Sequence, residues 1–285
     1  MTTIEWTQET WNPVTGCNKI SPGCAHCYAA DIAKRFWGER KFTDVQFHPE
    51  RLEQPLKWRK PRTVFVNSMS DLFHESVTDE QLDQVFAVMA LTPQHTYQVL
   101  TKRPERMQQY CDRLDLRRLI KAADLPMPSG SYQIKLPLPN VWLGVTVENQ
   151  KAADTRIPLL LRTPAAIRFL SCEPLLEAID LAKWLRPVVV MHSESSGFLN
   201  GDAIVGTSPD SQINWTIVGG ESGSKARPCN VEWIRSVVQQ CTTAQVPVFV
   251  KQLGSRPAGL EARGTGKHND LEIFPADLQL RQMPA

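Results

Sequence analysis

Hydrophobic and polar positions along this chain fall into two alternating textures. Short runs rich in β-branched and aromatic residues, TVFVNS (63–68), TYQVLT (96–101), VWLGVTV (141–147), AIRFLS (166–171), NWTIVGG (214–220) and VPVFVK (246–251), are separated by longer stretches with helical spacing. The helical stretches are YAADIAKRFWGER from Tyr28, TDEQLDQVFAVMAL from Thr78, RPERMQQYCDRL from Arg103, NQKAADTRIPLLL from Asn149, PLLEAIDLAKWL from Pro174 and VEWIRSVVQQC from Val231. Thr78, followed three residues on by Gln81, is a capping-box start. Strand-then-helix repetition predicts parallel strands buried on both faces. The fold class is therefore α/β, a partial or distorted parallel TIM-type barrel, with an open doubly wound sheet as the alternative.

Two segments interrupt this rhythm. Residues 121–140 and 187–213 are rich in Pro, Gly and Ser and read as insertions, the second with room for a small hairpin. Residues 255–285 read as an irregular extension packed on the body. One barrel domain over residues 1–285 accounts for the pattern.

Composition adds little. The chain has 42% hydrophobic and 22% charged residues and a formal net charge of +2, ordinary for a globular protein and neutral on the question of a nucleic-acid partner. No apolar run is long enough to span a membrane, and the N-terminus lacks a signal-peptide pattern, so a cytoplasmic location without a membrane partner is expected.

The polar residues at the strand ends are more informative. Asn67, Ser68, Ser70 and Asp71 come after the first run, and Thr101 and Lys102, with Arg103, after the second. Glu148 and Asn149 come after the third, Cys172 and Glu173 after the fourth, Gly219, Gly220 and Glu221 after the fifth, and Lys251 and Gln252 after the sixth. In a parallel sheet all these ends lie on one face, so six segments deliver carboxylates, amides and cations to a single bowl. In GGES, the two glycines permit close approach of backbone to a ligand and Glu221 offers a carboxylate. Cys172 and Glu173 are the candidate catalytic pair, Cys172 as a hydrogen-atom donor. A cysteine in a half-buried strand is more often a small hydrophobe.

Seven cysteines are present, and three of them, Cys17, Cys24 and Cys27, crowd into GCNKISPGCAHC with spacing C-x6-C-x2-C. In a reducing compartment such a trio reads as a metal or redox site. Structural zinc would need a fourth ligand such as His26 or His74. A 4Fe-4S cluster on three thiolates would leave one iron open to a small molecule. From the residues alone, the two stand level.

A three-cysteine loop running straight into a helix and then into βα units resembles the radical S-adenosylmethionine (radical SAM) enzymes. The blocks WNPVTGC, CYA, NSMSDLF, LTKRPERM, GVTVENQ, FLSCEPLL, IVGGESG and VFVKQLG, from Trp11 to Gly254, resemble a phage-associated three-cysteine family mostly without assigned function. The first cysteine gap is six residues where radical SAM enzymes usually have three. The resemblance implies a partial barrel with a 4Fe-4S cluster on Cys17, Cys24 and Cys27. Its open iron would be chelated by S-adenosyl-L-methionine, held by strand-end residues among Asn67, Ser68, Ser70, Asp71, Thr101, Lys102, Glu148, Gly219, Gly220, Glu221 and Lys251. It also implies a reductant protein such as a flavodoxin or ferredoxin, and it favours a nucleobase or nucleic-acid substrate.

Two further features have ordinary explanations. KWRKPR (57–62) could touch phosphates but is more simply a solvated loop, and Trp6, Trp11 and Trp37 are expected to shield the cysteine loop. The rival function is a zinc-stabilised nucleic-acid-binding or interaction protein without catalysis.

Overall fold

The computed structural model describes residues 4–123, 134–185, 212–260, 266 and 268–284. Its centre is a seven-stranded, wholly parallel sheet, curled into a half-barrel and flanked by helices. The strands are β1 (Glu9–Trp11), β2 (Thr63–Val66), β3 (Thr96–Thr101), β4 (Val141–Thr146), β5 (Ile167–Cys172), β6 (Trp215–Gly219) and β7 (Val248–Gln252), and they lie side by side in chain order. The helices are α1 (Tyr28–Phe36), α2 (Asp79–Leu91), α3 (Pro104–Arg113), α4 (Leu116–Ala122), α5 (Gln150–Arg162), α6 (Ala182–Leu185) and α7 (Val231–Thr243). Sequential order, each strand returning through a helix to the next position, is the winding of a barrel and not of a doubly wound sheet.

Period-two alternation sorts the strand residues between two cores. Val64, Val66, Tyr97, Val99, Leu143, Val145, Leu170, Cys172, Val218, Val248 and Val250 join the helices in the larger one. Phe65, Phe169, Trp215, Ile217 and Phe249 meet Trp6, with Leu100 and Trp142 against them, in a second cluster on the other face. This aromatic cluster fills the concave side of the half-barrel. Its rings meet at tilted and edge-on angles, Trp6 with Phe65 at 4.7 Å and Trp142 with Trp215 at 5.9 Å between centroids.

Caps hold the helices to the strand ends. Thr78 and Gln81 form both bonds of the capping box at α2, and Asn149 and Asn230 cap α5 and α7 with their side chains. The helix expected from Pro174 is only α6. Leu175 N–H donates to Gly219 O and Leu176 N–H to Glu148 O, both at 2.9 Å. Backbone spent on tying strand ends together cannot also form a helical ladder.

Of the expected insertions at 121–140 and 187–213, residues 124–133 and 187–211, with the expected hairpin, lie outside the described residues. The C-terminal extension runs along the free edge of β7. Val250 N–H donates to Leu280 O, Gln282 N–H to Val248 O, and Trp215 Nε1–H to Gln282 O, covering an edge that would otherwise invite another strand. Phe274 and Leu278 join the larger core. Among the described residues no helix is long and apolar enough to cross a membrane.

KWRKPR immediately precedes the N-terminal end of β2, opposite the strand ends that carry the polar residues. There Arg62 pairs with Glu9 and lies over the Trp58 ring at 5.3 Å. Trp6 and Trp11 do not shield the cysteine loop either. Trp6 plugs the concave face, and Trp11 is buried in the helix-side core with its Nε1–H donated to Arg51 O. Trp37 packs on Phe42, whose carbonyl accepts from Cys17 N–H.

Candidate functional site at the strand C-terminal ends

The loop carrying the three cysteines is fastened to the C-terminal ends of four different strands. Its first anchor is at β2, where Gly16 N–H donates to Met69 O and Ser70 Oγ–H donates to Gly16 O at 2.6 Å. Gly16 has φ +95°, and a Cβ there would lie 2.4 Å from Asp44 O, so only glycine fits. At β3, Arg103 Nη1 reaches Cys17 Sγ at 3.7 Å. At β4, Gly23 lies against the Glu148 carboxylate, since a Cβ on it would be 3.2 Å from Oε1. At β6, Arg227 Nη1 donates to Pro22 O at 3.0 Å, and His26 Nδ1 lies 3.0 Å from Glu221 Oε2. The loop thus stretches across the mouth of the half-barrel.

Electrostatics distinguish the thiols. Burial, helped by the Asp71 carboxylate, pushes Cys17 up to about 11 despite neighbouring Arg103. Burial acts in the same direction on Cys24, but the Lys102 charge and hydrogen bonds from Ser21 and the loop backbone outweigh it, and its pKa falls below the ordinary thiol value. All three cysteines are half-buried and unbridged.

Below the loop, polar side chains fill the top of the barrel. Lys102 Nζ donates to Thr146 Oγ1 at 3.3 Å, and Lys251 pairs with Glu173 at 3.3 Å. Glu148 is fully buried, with Oε2 2.7 Å from Arg156 Nη1. Burial would raise its pKa, yet Arg156, Ser21 and Lys102 together hold it below the usual carboxylate value. The amide nitrogen of buried Asn67 and Nη2 of Arg103 have no hydrogen-bond partner among the described residues.

One comparison with known proteins gives a match. A family model described as a protein of unknown function, DUF5131, matches residues 1–273. The chain belongs to the DUF5131 family. No curated protein and no solved structure matches it.

Within this DUF5131 chain, several strand-end residues named as ligand candidates make hydrogen bonds to protein. Asp71 accepts from Phe73 N–H, Thr101 Oγ1–H, Lys102 N–H and Arg103 Nη1–H at 2.7–3.1 Å. That carboxylate ties β2 to β3 and aims Arg103 at Cys17. Ser68 O accepts from the Tyr28 hydroxyl at 2.8 Å, and Ser68 Oγ–H donates to Asn12 Oδ1. Asn67 Oδ1 accepts from Val14 N–H, and its backbone takes φ +61°.

Both glycines of GGES lie where protein atoms leave no room for a side chain. A Cβ on Gly219 would lie 2.7 Å from Glu173 Oε1, and one on Gly220 would lie 2.4 Å from Leu253 O. Gly220→Ala is therefore expected to lower stability by about 2–3 kcal/mol, because the obstacle is backbone and cannot swing away. A shift in the urea midpoint with unchanged slope would register it; an unchanged midpoint would count against this packing. Glu221 accepts from Arg227 N–H and Nε–H at Oε2 and from Nη2–H at Oε1, between 2.7 and 2.9 Å. Burial opposes its charge, but these donors and His26 hold the carboxylate down at about 2.

Cys172 is fully buried on the helix side of β5, and burial drives its thiol well above the ordinary value. Its surroundings are those of a small hydrophobe, whereas Glu173, one residue on, belongs to the bowl. His74, a candidate fourth ligand for zinc, is buried after β2, with Nδ1 accepting from Ser76 N–H. Arg227 and Arg156, which secure the loop and Glu148, were missed by sequence reasoning because each contact depends on the folded geometry. A glutamate eight residues before an arginine at a strand-to-helix junction was the available signal for Arg156 alone.

Proposed function

We propose that this protein is a radical SAM-type enzyme that uses a 4Fe-4S cluster to abstract hydrogen from a substrate held in the half-barrel. The observation that carries this reading is a three-cysteine loop laid across the C-terminal ends of a parallel half-barrel, with Arg103 Nη1 3.7 Å from Cys17 Sγ and the Lys102 charge favouring the Cys24 thiolate. The donor chemistry fits. Three half-buried thiols on one loop beside two cations suit a negatively charged thiolate-bound centre.

Among the described residues no three His, Cys, Asp or Glu side chains are gathered to hold a metal ion. Binding a cluster on Cys17, Cys24 and Cys27 would require the three thiols to draw together. Cys17, Cys24 and Cys27 would hold it, leaving one iron for S-adenosylmethionine. Bound there, the cluster would supply one-electron reduction of S-adenosylmethionine, with a flavodoxin or ferredoxin as its electron source. The chain's own part is placement and exclusion of water. Lys102 and Arg103 stabilise thiolates, Asp71 orients Arg103, and the aromatic cluster closes the barrel beneath the bowl. Lys102, Thr146, Glu173 and Lys251, at the top of the barrel, would meet the substrate with a polar surface of both charges. A nucleobase or nucleic acid, with its donors and acceptors, is the favoured substrate class. Cys172, buried on the opposite face of β5, has no part in this reading.

The test is metal analysis and electron paramagnetic resonance on anaerobically reconstituted, dithionite-reduced protein. About four irons per chain and a reduced-cluster signal that changes on adding S-adenosylmethionine are expected, and both should vanish in Cys24→Ala. Stoichiometric zinc without iron would overturn the reading and favour a zinc-stabilised binding protein.

A further inference from the structure

The two halves of the cysteine loop are held by different parts of the molecule. The first half is fixed by backbone, through Gly16 to Met69 and Ser70 and through Cys17 N–H to Phe42 O at 2.8 Å. Lys19 and Ile20 come next, both exposed. Within Pro22–Cys27, Cys24 N–H donates to Ser21 O, Ala25 N–H to Pro22 O and Lys19 Nζ to Ala25 O, all inside the loop. Among the described residues, the side chains that hydrogen-bond Pro22–Cys27 from outside are Arg227, on Pro22 O, and Glu221, on His26; Glu148 only packs against Gly23 and bonds the preceding Ser21, and Cys27 O accepts from Asp31 N–H of α1.

Those two residues are bonded to each other three times over. Arg227 places its backbone N–H and Nε–H on one Glu221 oxygen and Nη2–H on the other, leaving Nη1–H for the loop. Glu221 is itself locked to the chain just beyond β7, since Ser255 N–H donates to Glu221 O at 2.8 Å and Gly254 lies directly against that carbonyl. A planar, five-donor guanidinium suits this task, holding a carboxylate with one edge and a carbonyl with the other.

We propose that Arg227 and Glu221 form a clasp that holds Pro22–Cys27 over the bowl, and that releasing it frees the half-loop bearing Cys24 and Cys27 while the half bearing Cys17 stays in place. Arg227 is then a positioning residue. Its bearing on catalysis rests on the function proposed above, but the clasp itself rests on the chain's own hydrogen bonds.

The test is site-resolved alkylation of the full-length, metal-free protein by iodoacetamide, each cysteine being followed by mass spectrometry across the thiol titration range. In Arg227→Met, Cys24 and Cys27 are expected to react about tenfold faster than in the wild type, the size of effect that losing a charge-assisted hydrogen bond produces, with Cys17 within about twofold. Glu221→Gln should give the same pattern with a smaller rise, and Arg227→Lys should restore part of the protection.

Unchanged rates at Cys24 and Cys27 would overturn the clasp, as would an equal rise at Cys17. If buried Cys111, Cys172 and Cys241 rise too, in both Arg227→Met and Glu221→Gln, the pair holds the fold and not the loop, and the proposal also fails. Iron content plays no part in this readout. A chain that binds no cluster would still report the clasp, and a failed clasp would leave the metal result intact.

Discussion

Arg156→Met is expected to cost about 3–5 kcal/mol of stability at neutral pH, because it strands a fully buried carboxylate. Arg156 reaches from α5 to place Nη1 2.7 Å from both Glu148 Oε2 and Thr146 O, and Glu148 has no exposure of its own. In the wild type the Glu148 pKa is lowered, so its stabilising contribution is present above the ordinary glutamate value and is lost as pH falls. In the variant the sign reverses. With Arg156 gone, burial outweighs what Lys102 and Ser21 still provide and raises the folded-state pKa, so the deficit is smallest in mild acid and grows as pH rises through it. Urea unfolding over a pH series measures this directly. Adding Glu148→Gln should recover much of the loss, and a pH-independent deficit that the second change leaves untouched would contradict the buried-pair account.

Asp71 is the other position where a single change should be costly. Asp71→Ala removes the acceptor for four donors, two of them backbone N–H groups and one the Arg103 guanidinium. A loss of about 3–4 kcal/mol is expected, since each stranded donor is buried or nearly so. Asp71→Asn keeps the shape but presents an amide where a carboxylate oxygen stood, and an intermediate loss is expected. In that variant Cys17 should titrate below its value of about 11. The Asp71 charge that raises it is gone, while burial, the larger cause, remains. Thiolate absorbance against pH would show the shift. No movement of Cys17 would mean that Arg103 had left the thiol together with Asp71.

Both residues illustrate why a strand end can be located from sequence while its role cannot. A parallel sheet sends every strand's last residues to one face, so the collection of polar groups in the bowl was readable from where each apolar run stops. What each group does there was not. Asp71, Glu221 and Gly220 look from the sequence like ligand contacts, and the folded chain adds to each a contact with protein, because the bowl must also hold its own strand ends and a long cysteine loop in place. Glu148 and Lys102, in contrast, lie under that loop, and Lys251 meets Glu173 across the barrel.

Strand β1 was also invisible in the pattern. Three residues, Glu9–Trp11, carry too short an alternation to register, and they form a strand only because β2 offers a parallel edge. The opposite failure occurs at Pro174–Leu185, where helical periodicity is real but the backbone N–H groups of Leu175 and Leu176 are claimed by Gly219 and Glu148.

The six longer strands, most of the helices, the parallel winding and the clustering of three thiols ahead of it were all legible in the amino-acid order. Those features rest on short-range periodicity, capping and spacing, which each segment carries alone. Three-dimensional packing alone settled which strand ends are tied up by protein, which face of β5 receives Cys172, and that Arg227 and Glu221 fasten the cysteine loop. Such outcomes depend on which groups from distant segments meet, and a hydrogen bond between residues 22 and 227 leaves no trace in the pattern around either.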